Sequence, residues 1–417
     1  MNLLLRSFLK RCVRQGALAV ETVRGEQFNV GDGTGVPVRL RFMDRGAERE
    51  ILFNPAVALG ELFSSRRLVV LDGNIADLLE LLGRNLKSMT PPALGAVRQR
   101  VRTALGWAHV RNTAQRSRRQ IAHHYDQDGR LYDLFLDPDK QYSCAYFEYP
   151  GQSLDAAQRA KKRHIAAKLL VEPGARVLDI GCGWGGLALY LAQECGASVT
   201  GITLSEEQLA IARQRAADNK LSSRIDFRLM DYRKVTGPFD RVVSVGMFEH
   251  VGPADYGTYF QTANRILADD GVMLLHSIGR FDGVSATNPW IAKHVFPGGH
   301  IPALSEVLPE IEKSGLIVTD VEILRLHYAE TLAAWRRAFL SRYDEAVRLF
   351  GEEFCRMWEF YLAASETGFR YGNLMVFQIQ LAKRLDAVPL TRGYIAEREA
   401  RLAQYEMDFD ALRAAAE

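Results

Sequence analysis

From residue 175 onward, short apolar runs alternate with stretches of helical periodicity. The runs at 175–180, 198–203, 225–230, 239–245, 271–278 and 316–324 read as buried strands. Residues 185–194, 206–218 and 255–268 between them read as helices. Strands and helices at this spacing form βαβ units and predict a doubly wound α/β sheet. In such a sheet the ligand lies beyond the carboxyl ends of the strands. The residues expected there are Asp179, Gly181, Thr203, Asp231, Gly246 to His250, and His276. The stretch 280–301 is a long insertion after the fifth strand, placed to cover that edge. Residues 330–387 read as helical and aromatic-rich, and 388–417 as a peripheral helix.

The pattern upstream is different. In residues 1–20, Leu4, Leu5, Phe8, Leu9 and Val13 can share one face of a helix, with Arg6, Lys10, Arg11 and Arg14 interleaved. Short runs at 27–30, 36–42, 50–53 and 68–71 read as strands, and 74–82 as a helix between Asn74 and Gly83. This is a small α+β unit, and nothing in it suggests catalysis. The division expected is 1–87 for that unit, 88–119 for a linker containing Pro91-Pro92, and 120–417 for the larger domain. A helix at 156–170, rich in Lys and Arg, leads into the first strand of the sheet.

The chemistry is concentrated where that strand ends. Val177-Leu178-Asp179-Ile180 runs into Gly181-Cys182-Gly183-Trp184-Gly185-Gly186 and then a helix. A strand, a glycine turn and a helix bring bare backbone up to a ligand at a helix N-terminus. A dinucleotide site would place an acid about 20 residues further on, but the next strand ends Gly201-Ile202-Thr203 without one. An ordinary strand-to-helix turn is the bland alternative. Asp179 at the strand's carboxyl end argues against it, because it can reach the polar groups of a ligand.

Length and composition narrow the classes. The chain has 417 residues, 47% hydrophobic and 25% charged, as in a globular protein with more than one domain. No run of 18 apolar residues is present, so no transmembrane helix is expected. The five cysteines are scattered without zinc spacing, which predicts reduced thiols in a cytoplasmic protein and no metal site. Net charge is only +3, yet residues 81–125 contain no Asp or Glu and nine Lys and Arg. That block is either a solvated linker or an attractor of an anionic surface, phospholipid or nucleic acid.

Several further stretches carry a resemblance. They are Tyr142-Ser143-Cys144-Ala145-Tyr146-Phe147, Thr203-Leu204-Ser205-Glu206-Glu207-Gln208, Gly246-Met247-Phe248-Glu249-His250, Leu275-His276-Ser277-Ile278-Gly279, Phe296-Pro297-Gly298-Gly299, Tyr328-Ala329-Glu330-Thr331-Leu332 and Phe369-Arg370-Tyr371-Gly372. With the glycine turn, they occur in the order found in cyclopropane-fatty-acid synthases, the family that includes the mycolic acid cyclopropane synthases. The resemblance spans about 120 to 385. It departs at Gln127-Asp128-Gly129, where the family pattern has a Gly-Asn pair.

The resemblance implies a class I S-adenosylmethionine-dependent methyltransferase domain, Rossmann-like, with a smaller N-terminal α+β domain. It implies methylene transfer from S-adenosylmethionine to the cis double bond of an unsaturated phospholipid acyl chain, closing a cyclopropane ring. The base in that reaction is a bound bicarbonate, held by Cys144, Glu249, His276, Tyr328 and the backbone of Ile278. Taken singly, each of these residues is more often structural; their joint recurrence in order reverses that weighting. The cofactor residues implied are Tyr142, Ser143, Asp179, Gly181, Gly183, Thr203, Leu204, Gln208, Asp231 and Tyr232. A homodimer docked on the anionic inner face of the membrane completes the picture. Three rivals stand beside it: an enzyme giving a methyl- or methylene-branched chain; a small-molecule or nucleic-acid methyltransferase, which the lack of base-stacking motifs disfavours; and a non-enzymatic lipid-binding descendant, which the intact glycine turn and Glu249 disfavour.

Overall fold

The computed structural model describes residues 2–86 and 129–416. The expected linker and most of the acid-free basic block lie outside the described residues. The chain packs as two compact units. One gathers the described residues up to 86 with 285–297 and 328–374; the other holds the described residues of 109–284 with 298–327 and 375–417. Residues 285–297 and 328–374, which the sequence division groups with the larger domain, therefore pack with the N-terminal residues.

The first unit has a four-stranded sheet in the order β2-β1-β3-β4, with β1 Leu18–Glu21, β2 Gln27–Val30, β3 Val38–Phe42 and β4 Leu68–Asp72. β1 runs antiparallel to β2 and parallel to β3, and β4 is antiparallel to β3. The N-terminal helix spans Asn2–Cys12 and seats Leu5 and Leu9 in the core, but Leu3 and Leu4 face outward. It stops before residue 20, and Leu18 and Val20 alternate inward as a strand that the helical reading had covered. Residues 50–53 also depart from expectation. They end a helix, Arg45–Phe53, because the Asp44 side chain accepts from the Ala47 N–H at 2.9 Å and caps it. Its Ala47 and Ile51, four apart, then share the buried face. The helix Ile75–Arg84 forms as expected, under a capping box between Asn74 and Asp77. The helix Glu352–Arg370 packs on Pro55–Ser64 and Ile75–Arg84.

The second unit holds a seven-stranded sheet in the order β10-β11-β9-β8-β5-β6-β7. Its strands are β5 Arg176–Ile180, β6 Ser198–Thr203, β7 Ile225–Leu229, β8 Phe239–Val245, β9 Leu267–Arg280, β10 Ile317–Ile323 and β11 Leu374–Ala382. β5 through β9 pair in parallel, and β11 pairs antiparallel with β10. Apolar layers cover both faces of the sheet. One includes Ile165, Leu187, Leu191, Ala212 and Phe227; the other includes Phe248, Tyr259, Phe260, Val307 and Ile311. The first six strands lie where the apolar runs predicted. The seventh does not: residues 330–387 were expected to be helical, and 374–382 is a strand. Met375, Val376, Phe377, Ile379, Leu381 and Ala382 are all buried, and so are the polar Gln378 and Gln380 between them. A strand inserted between two others is enclosed on both faces, so the alternation Phe377-Gln378-Ile379-Gln380-Leu381 has no exposed side and its two glutamines are buried with the rest.

Candidate active site

The glycine turn leaves β5 at Gly181 and enters the helix Gly186–Glu194. Gly181, Gly183 and Gly185 all have positive φ, at +82°, +54° and +83°. At Gly183 a Cβ would meet nothing within 4 Å, so a side chain there would project into open space. At Gly185 it would strike Phe227 at 2.7 Å.

That open space is a cavity beyond the carboxyl ends of β5, β6 and β8. Every residue the resemblance assigns to the cofactor lies in its wall: Tyr142, Ser143, Asp179, Gly181, Gly183, Thr203, Leu204, Gln208, Asp231 and Tyr232. The Thr203 hydroxyl donates to Gln208 Oε1 at 2.9 Å and accepts from the Ser205 N–H at 3.2 Å. Asp231 is paired with Arg233 at 2.6 Å; burial alone would raise its carboxyl, but hydrogen bonds from the Arg233 guanidinium and N–H hold it below the usual range. Tyr142 meets Tyr132 edge-on and Trp184 meets it at a tilt, with ring centroids 5.3 and 4.9 Å away.

Asp179 is buried and its Oδ2 has no hydrogen-bond partner. Burial pushes its carboxyl up to about 7, with Lys161 opposing. Lys161, from the helix Leu154–Lys168, is a cavity residue that the sequence reading missed. Its Nζ donates to Gln141 Oε1 and Ser143 Oγ, each at 2.7 Å, and burial pulls it down to about 7. The signal in the sequence was a set of polar residues, Gln158, Lys161, His164 and Lys168, at helical spacing among small alanines. Lysines are so seldom buried that such a set reads as a solvated face. His250, also in the cavity wall, is held down to about 4 by burial.

The residues expected to hold an anion are distributed as follows. Glu249 sits in the short turn Phe248–His250 after β8 and accepts from the Ile278 N–H at 2.6 Å. Its Oε2 is buried without a partner, and burial pushes the carboxyl up to about 7 although the Ile278 N–H opposes this. His276 and Ile278, two apart on β9, place their Cβ atoms on the same face. His276 is buried, its carbonyl accepts from the Gly246 N–H at 2.9 Å, and burial pulls its imidazole down to about 3. Cys144 follows Ser143 of the cavity wall and is buried, its thiol donating to the Ala145 carbonyl at 3.3 Å. Tyr328 belongs to the first unit, where it packs on Phe369 and Trp335. The structure thus joins Glu249 directly to Ile278, whose N–H is taken by that carboxyl.

A doubly wound sheet with a glycine-turn cavity at its carboxyl edge is the architecture of class I S-adenosylmethionine-dependent methyltransferases. The family description "Mycolic acid cyclopropane synthetase" matches residues 112–379, and the chain belongs to that family. A probable fatty acid methyltransferase of Pseudomonas putida is 43% identical over 271 residues, 63% of this chain and 68% of the relative. The cyclopropane-fatty-acyl-phospholipid synthase of Escherichia coli is 40% identical over 263 residues, 63% of this chain and 67% of the relative. The solved structure of mycolic acid cyclopropane synthase CmaA1, complexed with SAH and CTAB, matches with a TM-score of 0.60. It is 34% identical, and the match covers 63% of this chain and 97% of that one.

Proposed function

We propose that this protein transfers a methylene group from S-adenosylmethionine to the cis double bond of an unsaturated acyl chain of a membrane phospholipid, forming a cyclopropane ring. Bound in the cavity, S-adenosylmethionine supplies an electrophilic methyl group, and bicarbonate beside Glu249 supplies the base. The observation that carries this reading is the buried Glu249 carboxyl. One oxygen is fixed by the Ile278 N–H and the other is free to engage a ligand.

The chain's own residues fit both groups. Asp179, with its unpartnered oxygen, and the bare Gly181 and Gly183 offer a polar acceptor and close backbone approach to a nucleoside-bearing ligand. Glu249 keeps its proton up to about pH 7 and can donate it to an oxyanion, where a bare carboxylate would repel one. His276 stays neutral at that pH and offers a ring N–H instead of a second positive charge. Cys144 and Tyr328 are assigned to the same anion by family resemblance. A phospholipid substrate requires docking on a bilayer surface, since no helix among the described residues is long and apolar enough to cross one.

A second reading is favoured by the Pseudomonas putida relative, whose name is that of a fatty acid methyltransferase. It keeps the same site and ends in a methyl- or methylene-branched chain. The test is incubation with unsaturated phospholipid vesicles and methyl-labelled S-adenosylmethionine. Gain of one labelled CH₂ with loss of the olefinic protons supports ring closure. Gain of the label with olefinic protons retained supports the branched product, and no label in the acyl chains overturns both.

A further inference from the structure

The helix Leu154–Lys168 buries several charged side chains, and Lys161 alone of them serves the cavity wall. Lys168, one of the most deeply buried lysines in the chain, serves another set. Its Nζ contacts Glu322 and donates to Gln378 Oε1 at 2.9 Å, with Asp320 at 3.5 Å. His164, one turn earlier on the same helix, bridges Glu322 through Nε2 at 2.8 Å and Glu399 through Nδ1 at 2.7 Å. Gln378 lies on β11 and is fully buried, and its Nε2 meets His276 Nδ1 at 3.2 Å.

These contacts leave little freedom. A lysine ammonium has three donors and no acceptor. The amide oxygen of Gln378 must therefore face Lys168, which leaves the amide NH₂ facing His276. An NH₂ group only donates, so His276 Nδ1 must present its lone pair. Burial, together with the positive groups Lys161, Lys168 and His164, disfavours a second proton on the ring. We propose that Gln378, oriented by Lys168, is a positioning residue that fixes His276 as the neutral tautomer with its proton on Nε2. The ring then presents one donor and no acceptor on its far side. It can hold an anion but cannot take a proton from it, which leaves the base's role to the anion. The catalytic consequence rests on the proposed function; the tautomer rests on the contacts alone.

The test is a long-range nitrogen-15 spectrum of the full-length protein labelled at histidine, with His276→Gln used to assign its resonances. The expected result is an unprotonated Nδ1 and a protonated Nε2 that do not titrate between about pH 5 and 8, well above a buried histidine's lowered pKa. In Gln378→Glu the carboxylate offers Nδ1 an acceptor, so Nδ1 takes the proton and the ring titrates within that range. The same variant should lose about 10²-fold in kcat with KM for S-adenosylmethionine changed less than about twofold. A protonated Nδ1 in the wild type overturns the proposal, even if Gln378→Glu fails to fold. An unchanged tautomer in a folded Gln378→Glu does so as well. If the wild type shows the expected tautomer but labels no acyl chain, the proposed function falls and the positioning role of Gln378 stands.

Discussion

Glu249 and Asp179 are buried carboxyls, each with an oxygen lacking a partner, and burial raises both to about 7. A carboxyl whose folded pKa is raised binds more protons when folded than when unfolded. Its contribution to stability is therefore full below the unfolded value near 4 and is lost as pH rises through about 7. The ligand-free protein should melt at a lower temperature at pH 8 than at pH 5.5, and Glu249→Gln should flatten that difference. At pH 8 the variant should be more stable than wild type by about 1–3 kcal/mol; a melting curve that keeps the wild-type pH slope counts against a buried, proton-holding Glu249. Turnover should move the other way. Steady-state kinetics of Glu249→Gln should show kcat reduced by about 10²-fold or more, with calorimetric affinity for S-adenosylmethionine unchanged.

On the proposed function, the element that decides cofactor binding is the turn between β5 and its helix. Gly183 has φ +54°, which a β-branched residue adopts only under strain, and its missing side chain opens on the cavity. Gly183→Val should therefore lower S-adenosylmethionine affinity by more than about tenfold, measured by calorimetry on folded variant. In the first unit, Asp44→Ala removes the cap of the helix Arg45–Phe53 and the paired Arg67 contact at 2.8 Å. That should cost about 1–2 kcal/mol in denaturant unfolding. Most elements of the sheet were legible because β5, β6 and β8 are buried on both faces and end in glycine or cap residues. Residues 50–53 were not, since four apolar and charged residues fit a strand as well as a helix end, and only the Asp44 cap decides. β11 hid behind Gln378 and Gln380, two polar residues that an isolated reading takes for exposure. They are buried because Lys168, His276 and Tyr394 supply partners from other elements. The cavity residues were legible through motif order. Lys161 was not, because its partners Gln141 and Ser143 lie 20 and 18 residues upstream, before the helix begins, and come near only in the fold.

For the molecule as a whole, the proposed phospholipid substrate calls for a surface that can meet a bilayer. On the first unit, Arg6, Lys10 and Arg11 of the N-terminal helix and Arg14 just beyond it surround one shallow depression together with Leu3, which is 82% exposed. Positive side chains around exposed leucines suit an anionic lipid surface. Each Lys or Arg near such a surface contributes about 1 kcal/mol, so changing Lys10, Arg11 and Arg14 to Ser should weaken binding to anionic vesicles about 10²-fold. The loss should shrink as salt rises, because the attraction is screened over about 8 Å at physiological ionic strength. Equal co-sedimentation of wild type and variant with anionic and zwitterionic vesicles, at low and high salt, would remove this face from consideration.

The strand order also has a consequence for biosynthesis. β11 closes the gap between β9 and β10, yet it is the last strand to leave the ribosome. Until residue 382 has emerged, a nascent chain carries two open strand edges and a Lys168 that lacks its Gln378 partner. Open edges are templates for pairing with other chains. Co-translational folding must therefore stay incomplete until nearly the whole chain is made, and ribosome-stalled chains ending at residue 370 should be protease-sensitive and chaperone-bound where chains extended past residue 390 by a ribosome-tunnel linker are not.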